Sequence, residues 1–135
     1  MTSSFTLDAT IALPFDAALE ATRTALAEQG FGIITKFDLA ATLKAKIGAD
    51  IAPQVILGAC RPQLAHQAIQ VDPAIATVLP CNVVVRAINE TTTAVQAFDP
   101  DAMTRISDHP ALEEVAIDAR VRLLAALDSL TTREN

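Results

Sequence analysis

Residues 4 to 13, SFTLDATIAL, set Phe5, Leu7, Ala9, Ile11 and Leu13 at every second position, with Ser4, Thr6, Asp8 and Thr10 between them. A period of two sends the sets to opposite faces of an extended chain, so the stretch is expected to be a half-buried strand. The period then lengthens. In PFDAALEATRTALAEQG, Phe15, Leu19, Thr22 and Leu26 recur at helical spacing, Asp16 falls in the first turn and Gly30 stands where a left-handed C-cap belongs, which predicts a helix from about Pro14 to Gln29. FGIITKFDL returns to alternation, with Phe31, Ile33, Thr35 and Phe37 expected on one face and Ile34, Lys36 and Asp38 on the other.

AATLKAKIG reads as a short helix closed by Gly48, and QVILGA as a central strand. PQLAHQAIQ should form a helix from Pro62, and DPAIATVL a brief one from Pro73. NVVVRAI and TTAVQAF, separated by Asn89, Glu90 and Thr91, are expected to pair as a hairpin although no Asn-Gly or Asp-Gly turn is present. The last long helix begins near Pro110 and carries Leu112, Val115, Ala116, Ala119, Leu123, Ala126, Leu127 and Leu130 on one broad stripe, with Asp118 and Arg122 as an i,i+4 pair. This order of elements predicts an α+β fold, a mainly antiparallel sheet with helices packed on one face. The 135 residues are read as a single domain with an ordered core from about residue 4 to 130.

Composition narrows the possible partners. Apolar residues make up 51% of the chain, Trp and Tyr are absent, and mean hydropathy is +0.35, so the core must be built from Ala, Val, Ile and Leu. Net charge is −6 and the ten basic residues are scattered, which argues against nucleic acid and against an anionic membrane surface. No apolar run approaches the ~18 residues of a membrane span. The first basic residue is Arg23, so a positive secretory leader is not evident and a cytoplasmic location is expected. In that compartment two cysteines do not default to a permanent disulfide.

Those cysteines are the main candidate chemistry. Cys60 ends a strand two residues before Pro62, where free N–H groups and the helix dipole would favour a thiolate, and Arg61 would add to the effect. Cys81 follows Pro80 at the start of the next strand. His66, one turn into the helix, is a candidate base or third ligand, and Asn82 a candidate hydrogen-bonding partner for a ligand beside Cys81. Lys36 could line a polar pocket with Asp38. Each has a plainer reading: buried small cysteines, a surface histidine, a turn asparagine and a solvated strand face. His109 fits a helix start, and Asp72 and Asp99, each before a proline, fit helix N-caps. No Ser-His-Asp set, HExxH or phosphate-cradling glycine loop is evident, and no cofactor is expected.

The segments LGACRPQLA, with Leu57, Gly58, Ala59, Cys60, Pro62, Leu64 and Ala65, and LPCN, with Leu79, Pro80, Cys81 and Asn82, resemble the domain of unknown function (DUF) 302 family. The resemblance extends from about Pro14 to Leu127. It implies a small α+β domain similar to the TATA-box-binding-protein-like fold, in members that tend to dimerise, with Cys60, Cys81 and Asn82 as the positions of interest and no established activity. The expectation is a homodimeric small-ligand-binding module with its site around Cys60 and Cys81. Alternatives are a thiol-dependent redox or transfer enzyme, a soft-metal-binding protein using the same two sulfurs, and a dimeric scaffold without chemistry.

Overall fold

The computed structural model describes residues 5–107 and 109–131. The expected strand start at Ser4 and the chain beyond Thr131 lie outside them. In chain order the elements are β1 (Thr6–Ile11), α1 (Phe15–Glu28), β2 (Gly32–Asp38), α2 (Leu39–Ile47), β3 (Gln54–Cys60), α3 (Pro62–Val71), a 3₁₀ turn (Pro73–Val78), β4 (Cys81–Ala87), β5 (Thr93–Phe98), a short 3₁₀ turn (Pro100–Ala102), α4 (Met103–Ile106) and α5 (Ala111–Thr131). The five strands form one sheet in the order β1-β5-β4-β3-β2, antiparallel at every pairing. The α+β class and the antiparallel sheet expected from the hydrophobic pattern are therefore present.

Register decides which side chains share a face, because residues directly opposite in an antiparallel pair point the same way. Leu7 opposes Ala97 and Ala97 opposes Val83, while Val83 opposes Leu57. These residues, with Ala9, Ile11, Val55, Val85 and Val95, are buried under α1 and the C-terminal half of α5, where Leu19, Leu26, Leu123, Leu127 and Leu130 complete the core. The opposite face carries Thr6, Asp8 and Thr10 on β1, Gln96 and Phe98 on β5, and Asn82, Val84 and Arg86 on β4. A second apolar cluster lies beyond the sheet's end, where α3, the 73–78 turn and α4 surround Leu112, Val115, Ala116 and Ala119 of α5.

Strand β2 departs from the simple alternation. A bulge between Ile33 and Thr35 leaves Ile34 without a ladder partner, so Ile33 opposes Ala59 while Thr35 opposes Gly58 and Phe37 opposes Ile56. One extra residue flips everything after it. Ile33 therefore packs on the helix-side core, whereas Thr35 and Phe37 lie on the open face and Lys36 follows Leu57 to the helix side. The expected grouping of Phe31, Ile33, Thr35 and Phe37 on one face is corrected accordingly.

Local chemistry terminates the elements where it should. Gly30 and Gly48 take φ of +87° and +69° after α1 and α2. Asp38 accepts a hydrogen bond from the Ala41 amide at 2.9 Å and so caps α2, a use that removes it from any pocket with Lys36. Asp72 and Asp99 cap the two 3₁₀ turns, each accepting from the amide two residues on at 3.0 Å. The β4–β5 hairpin needs no glycine because the Asn89 side chain accepts from the Thr91 amide and hydroxyl at 2.9 and 3.1 Å.

Candidate functional site

Two concavities meet at the segment Leu79–Pro80, which both share. One is a pocket of about 30 Å³ between the end of β3 and the start of β4; the other is a groove of about 530 Å³ on the open face of the sheet. Their positions follow from the register. Cys81 directly opposes Ala59 and shares its face, so Cys60 is its diagonal neighbour on the adjacent strand, with its side chain starting on the other face. Strand spacing and rise put their Cα atoms roughly 6 Å apart.

Both half-buried cysteines line the small pocket. Its remaining wall is apolar, from Phe31, Leu64, Ala68 and Met103 among others, apart from Arg61. The Cys81 thiol is pushed up from 9.0 to about 11, first by withdrawal of the sulfur from water and second by the nearby Cys60 charge. At neutral pH Cys81 is therefore a protonated thiol. Arg61 is the N-cap residue of α3, and its guanidinium donates from Nη1 to Gln63 Oε1 at 3.2 Å. Its Nε is buried with no hydrogen-bond partner. Gly30 permits this placement, since a Cβ there would lie 3.2 Å from Arg61 Nε.

Pro80, joined to Leu79 by a cis peptide bond, sits over β3 because position 58 is glycine. A Cβ on Gly58 would overlap the Thr35 hydroxyl and approach Pro80 Cγ to 2.8 Å. The glycine lets Thr35 of the edge strand and Pro80 of the shared wall close over the sheet.

A family described as "Domain of unknown function DUF302" matches residues 7–130. The chain belongs to the DUF302 family. A crystal structure of an uncharacterized conserved DUF302 protein from Bacillus stearothermophilus is similar to it, with a TM-score of 0.87 at 29% identity, over 95% of this chain and 99% of that one. No curated protein matches.

In this DUF302 chain the groove is floored by the polar-alternating face of three strands. Thr6, Gln96, Phe98, Asn82 and Val84 contribute to it, and Thr77, Val78, Leu79 and Pro80 form its wall. The Thr6 hydroxyl is buried and has no hydrogen-bond partner. Gln96 is already held, its amide donating to Asp8 Oδ1 at 3.0 Å and its carbonyl accepting from Arg86 Nη2 at 3.4 Å. Asn82, opposite Gly58, makes none of the side-chain hydrogen bonds found among the described residues and lines the groove.

The structure thus places Cys60 and Cys81 on the wall of one pocket, puts Asn82 in the adjoining groove, and leaves Lys36 and His66 elsewhere. Lys36 is exposed on the edge strand, and His66 is exposed on α3 while Leu64, Ala65 and Ala68 of that helix line the thiol pocket. His109 lies 3.7 Å from the Asp72 carboxylate beside the start of α5. Among the described residues, no group of three or more His, Cys, Asp or Glu side chains converges as a metal site, and no helix is long and apolar enough to cross a membrane. Thr6, Gln96 and Phe98 are groove residues that sequence reasoning did not single out. The signal for Thr6 was its place on the polar side of β1; nothing local marks the other two.

Proposed function

We propose that the protein is a homodimeric binding module for a small, neutral, amphipathic molecule held in the groove beside the cysteine pair. The observation that carries this reading is a concavity of about 530 Å³, a size ordinary for small-molecule sites, with the exposed Asn82 among its lining residues. Val84, Phe98 and Leu79 offer apolar surface, and Asn82 supplies both a donor and an acceptor. A neutral ligand is favoured because the fixed charges nearby, Asp8 and Arg86, are already joined through Gln96.

Dimerisation is supported by Ile117, Val121 and Leu124, which stand exposed at i, i+4 and i+7 on the outer side of α5. The alternative surface, the β2 edge, is twisted by its bulge, a feature that discourages edge-to-edge pairing.

The neutral dye N-phenylnaphthylamine tests the groove by fluorescence, in a chain without Trp or Tyr. Val84→Arg should weaken its binding by about tenfold or more, equivalent to ~1.4 kcal/mol, while Cys60→Ser leaves it unchanged. Dye affinity indifferent to Val84→Arg in a folded protein would remove the groove from consideration. Sedimentation equilibrium of wild type and Val121→Glu tests the dimer separately, the variant being expected as monomer.

A further inference from the structure

We propose that the surface where α1, α3 and α5 meet over Gly30 is a binding site for a phosphate group, held between the guanidinium groups of Arg61 and Arg122. This inference does not depend on the groove or its ligand. Three elements bring the two cations together. The left-handed turn at Gly30, with φ of +87°, ends α1 and puts no side chain between them. Arg61 reaches this point from the N-cap position of α3, and Arg122 from the middle of α5. A Cβ on Gly30 would lie 3.2 Å from Arg61 Nε and 4.0 Å from Arg122 Nη1. Those two nitrogens are therefore roughly 7 Å apart or less, a range at which like charges still repel. The compensation is uneven. Arg122 donates from Nε to Asp118 Oδ1 at 2.7 Å and from Nη1 to the Gln29 carbonyl at 3.4 Å. Arg61 donates from Nη1 to the neutral Gln63 side chain at 3.2 Å and forms no ion pair among the described residues. The first turn of α3 carries no acidic residue that could offset it. One carboxylate thus serves two guanidinium groups, in a chain whose net charge is −6.

Access falls to the outer nitrogens, since Arg61 Nε is closed off from solvent. The Nη2 group of each arginine makes no hydrogen bond among the described residues, and neither is among the buried unpartnered atoms, which are Thr6 Oγ1 and Arg61 Nε. Both Nη2 groups are therefore open to water, on side chains that are otherwise half-buried and so held in place. The size of the gap selects the anion. Two oxygens on one phosphorus, each accepting at ~2.8 Å, bridge donors up to about 8 Å apart, whereas a monatomic anion has a shorter reach and no fork to match a guanidinium. A phosphate dianion also gains more from two cations than a carboxylate does. Asp118 opposes any anion here, because its carboxylate already holds Arg122, and this keeps the expected affinity in the millimolar range.

The test follows the Gly30 amide and the arginine Nε–H signals in ¹H–¹⁵N NMR spectra of the whole chain as sodium phosphate replaces sodium chloride at fixed pH and ionic strength. The Gly30, Arg61 and Arg122 signals should shift together and saturate with one dissociation constant. Arg61→Gln should weaken that constant by about tenfold or more, and Arg61→Lys, which keeps the charge but loses the fork, should fall between the two. If Arg61→Gln does not fold, the wild-type titration and Arg61→Lys decide. Saturation by inorganic phosphate but not by methyl phosphate supports the free ion as ligand, and saturation by both supports a phosphomonoester. Shifts that never saturate, shifts spread over the surface without a focus at Gly30, equal affinity for acetate, or an affinity unchanged in a folded Arg61→Gln would each overturn the proposal.

Discussion

Replacing Gly58 by alanine adds one methyl group at the point where the edge strand, the central sheet and the shared wall of both concavities meet. The new Cβ would overlap the Thr35 hydroxyl and lie 2.8 Å from Pro80 Cγ, where an unstrained carbon pair needs at least ~3.5 Å. Thr35 is on an exposed edge strand and can turn its hydroxyl away, but a pyrrolidine ring has no comparable freedom, so the residual strain falls on Pro80. Overpacking of this kind costs roughly 1–3 kcal/mol, and the intrinsic gain of Gly→Ala within a strand offsets about 0.5–1 kcal/mol of it. A net loss of about 1–2 kcal/mol remains. For 135 residues at ~2.1 cal/mol/K each, this lowers Tm by roughly 4–7 °C in differential scanning calorimetry. Pairing the change with Thr35→Ala should restore part of the loss, and N-phenylnaphthylamine affinity should fall because Pro80 lines the groove. A neutral or stabilising Gly58→Ala would show that the three groups do not close over the sheet as described, since relief of the glycine's entropy would then be the larger effect.

Two further outcomes are expected. Because the folded pKa of Cys81, about 11, exceeds its starting value of 9.0, the folded state holds the thiol proton more tightly. The corresponding stability is fully present below about pH 9 and is lost as pH rises through 11, by of order 2–3 kcal/mol; wild type should show this loss in urea titrations and Cys81→Ser should not. Asp99 caps the 100–102 turn and accepts from Arg120 Nε of α5 at 3.1 and 3.3 Å. Asp99→Ala should cost about 1–2 kcal/mol as a lowered denaturant midpoint with unchanged m-value, and Asp99→Asn, which keeps the cap, should recover most of it.

Much of the fold was legible because its elements agree with their local chemistry. The period-two stretch at β1 buries Leu7, Ala9 and Ile11, the Pro14-to-Gly30 segment forms α1, and the stripe read along the last helix is the buried face of α5. The β2 faces were not legible after Ile33, because a bulge is a property of two paired strands and the hydrophobic pattern of one cannot reveal it. For Asp38 the pattern was ambiguous: a polar residue at a strand's end serves equally as a pocket side chain or as the cap of the next helix, and the two readings have the same sequence.

The candidate sites divide along a similar physical line. Cys60 and Cys81 were identifiable one at a time, since each stands at an element boundary, but their place on the wall of one pocket depends on β3 and β4 being neighbours in a register that opposes Ala59 to Cys81. The groove is less local still, because Thr6 and Gln96 are ninety residues apart in the chain and their common face arises only when β1 pairs with β5 and β5 with β4. The two concavities then share one wall for a reason lodged in a single residue. With no side chain at position 58, Pro80 can rest against the sheet, where its one side borders the thiol pocket and its other the groove. Whatever displaces Pro80 must therefore act on both, which is why strain introduced at Gly58 should be read in dye binding as well as in stability.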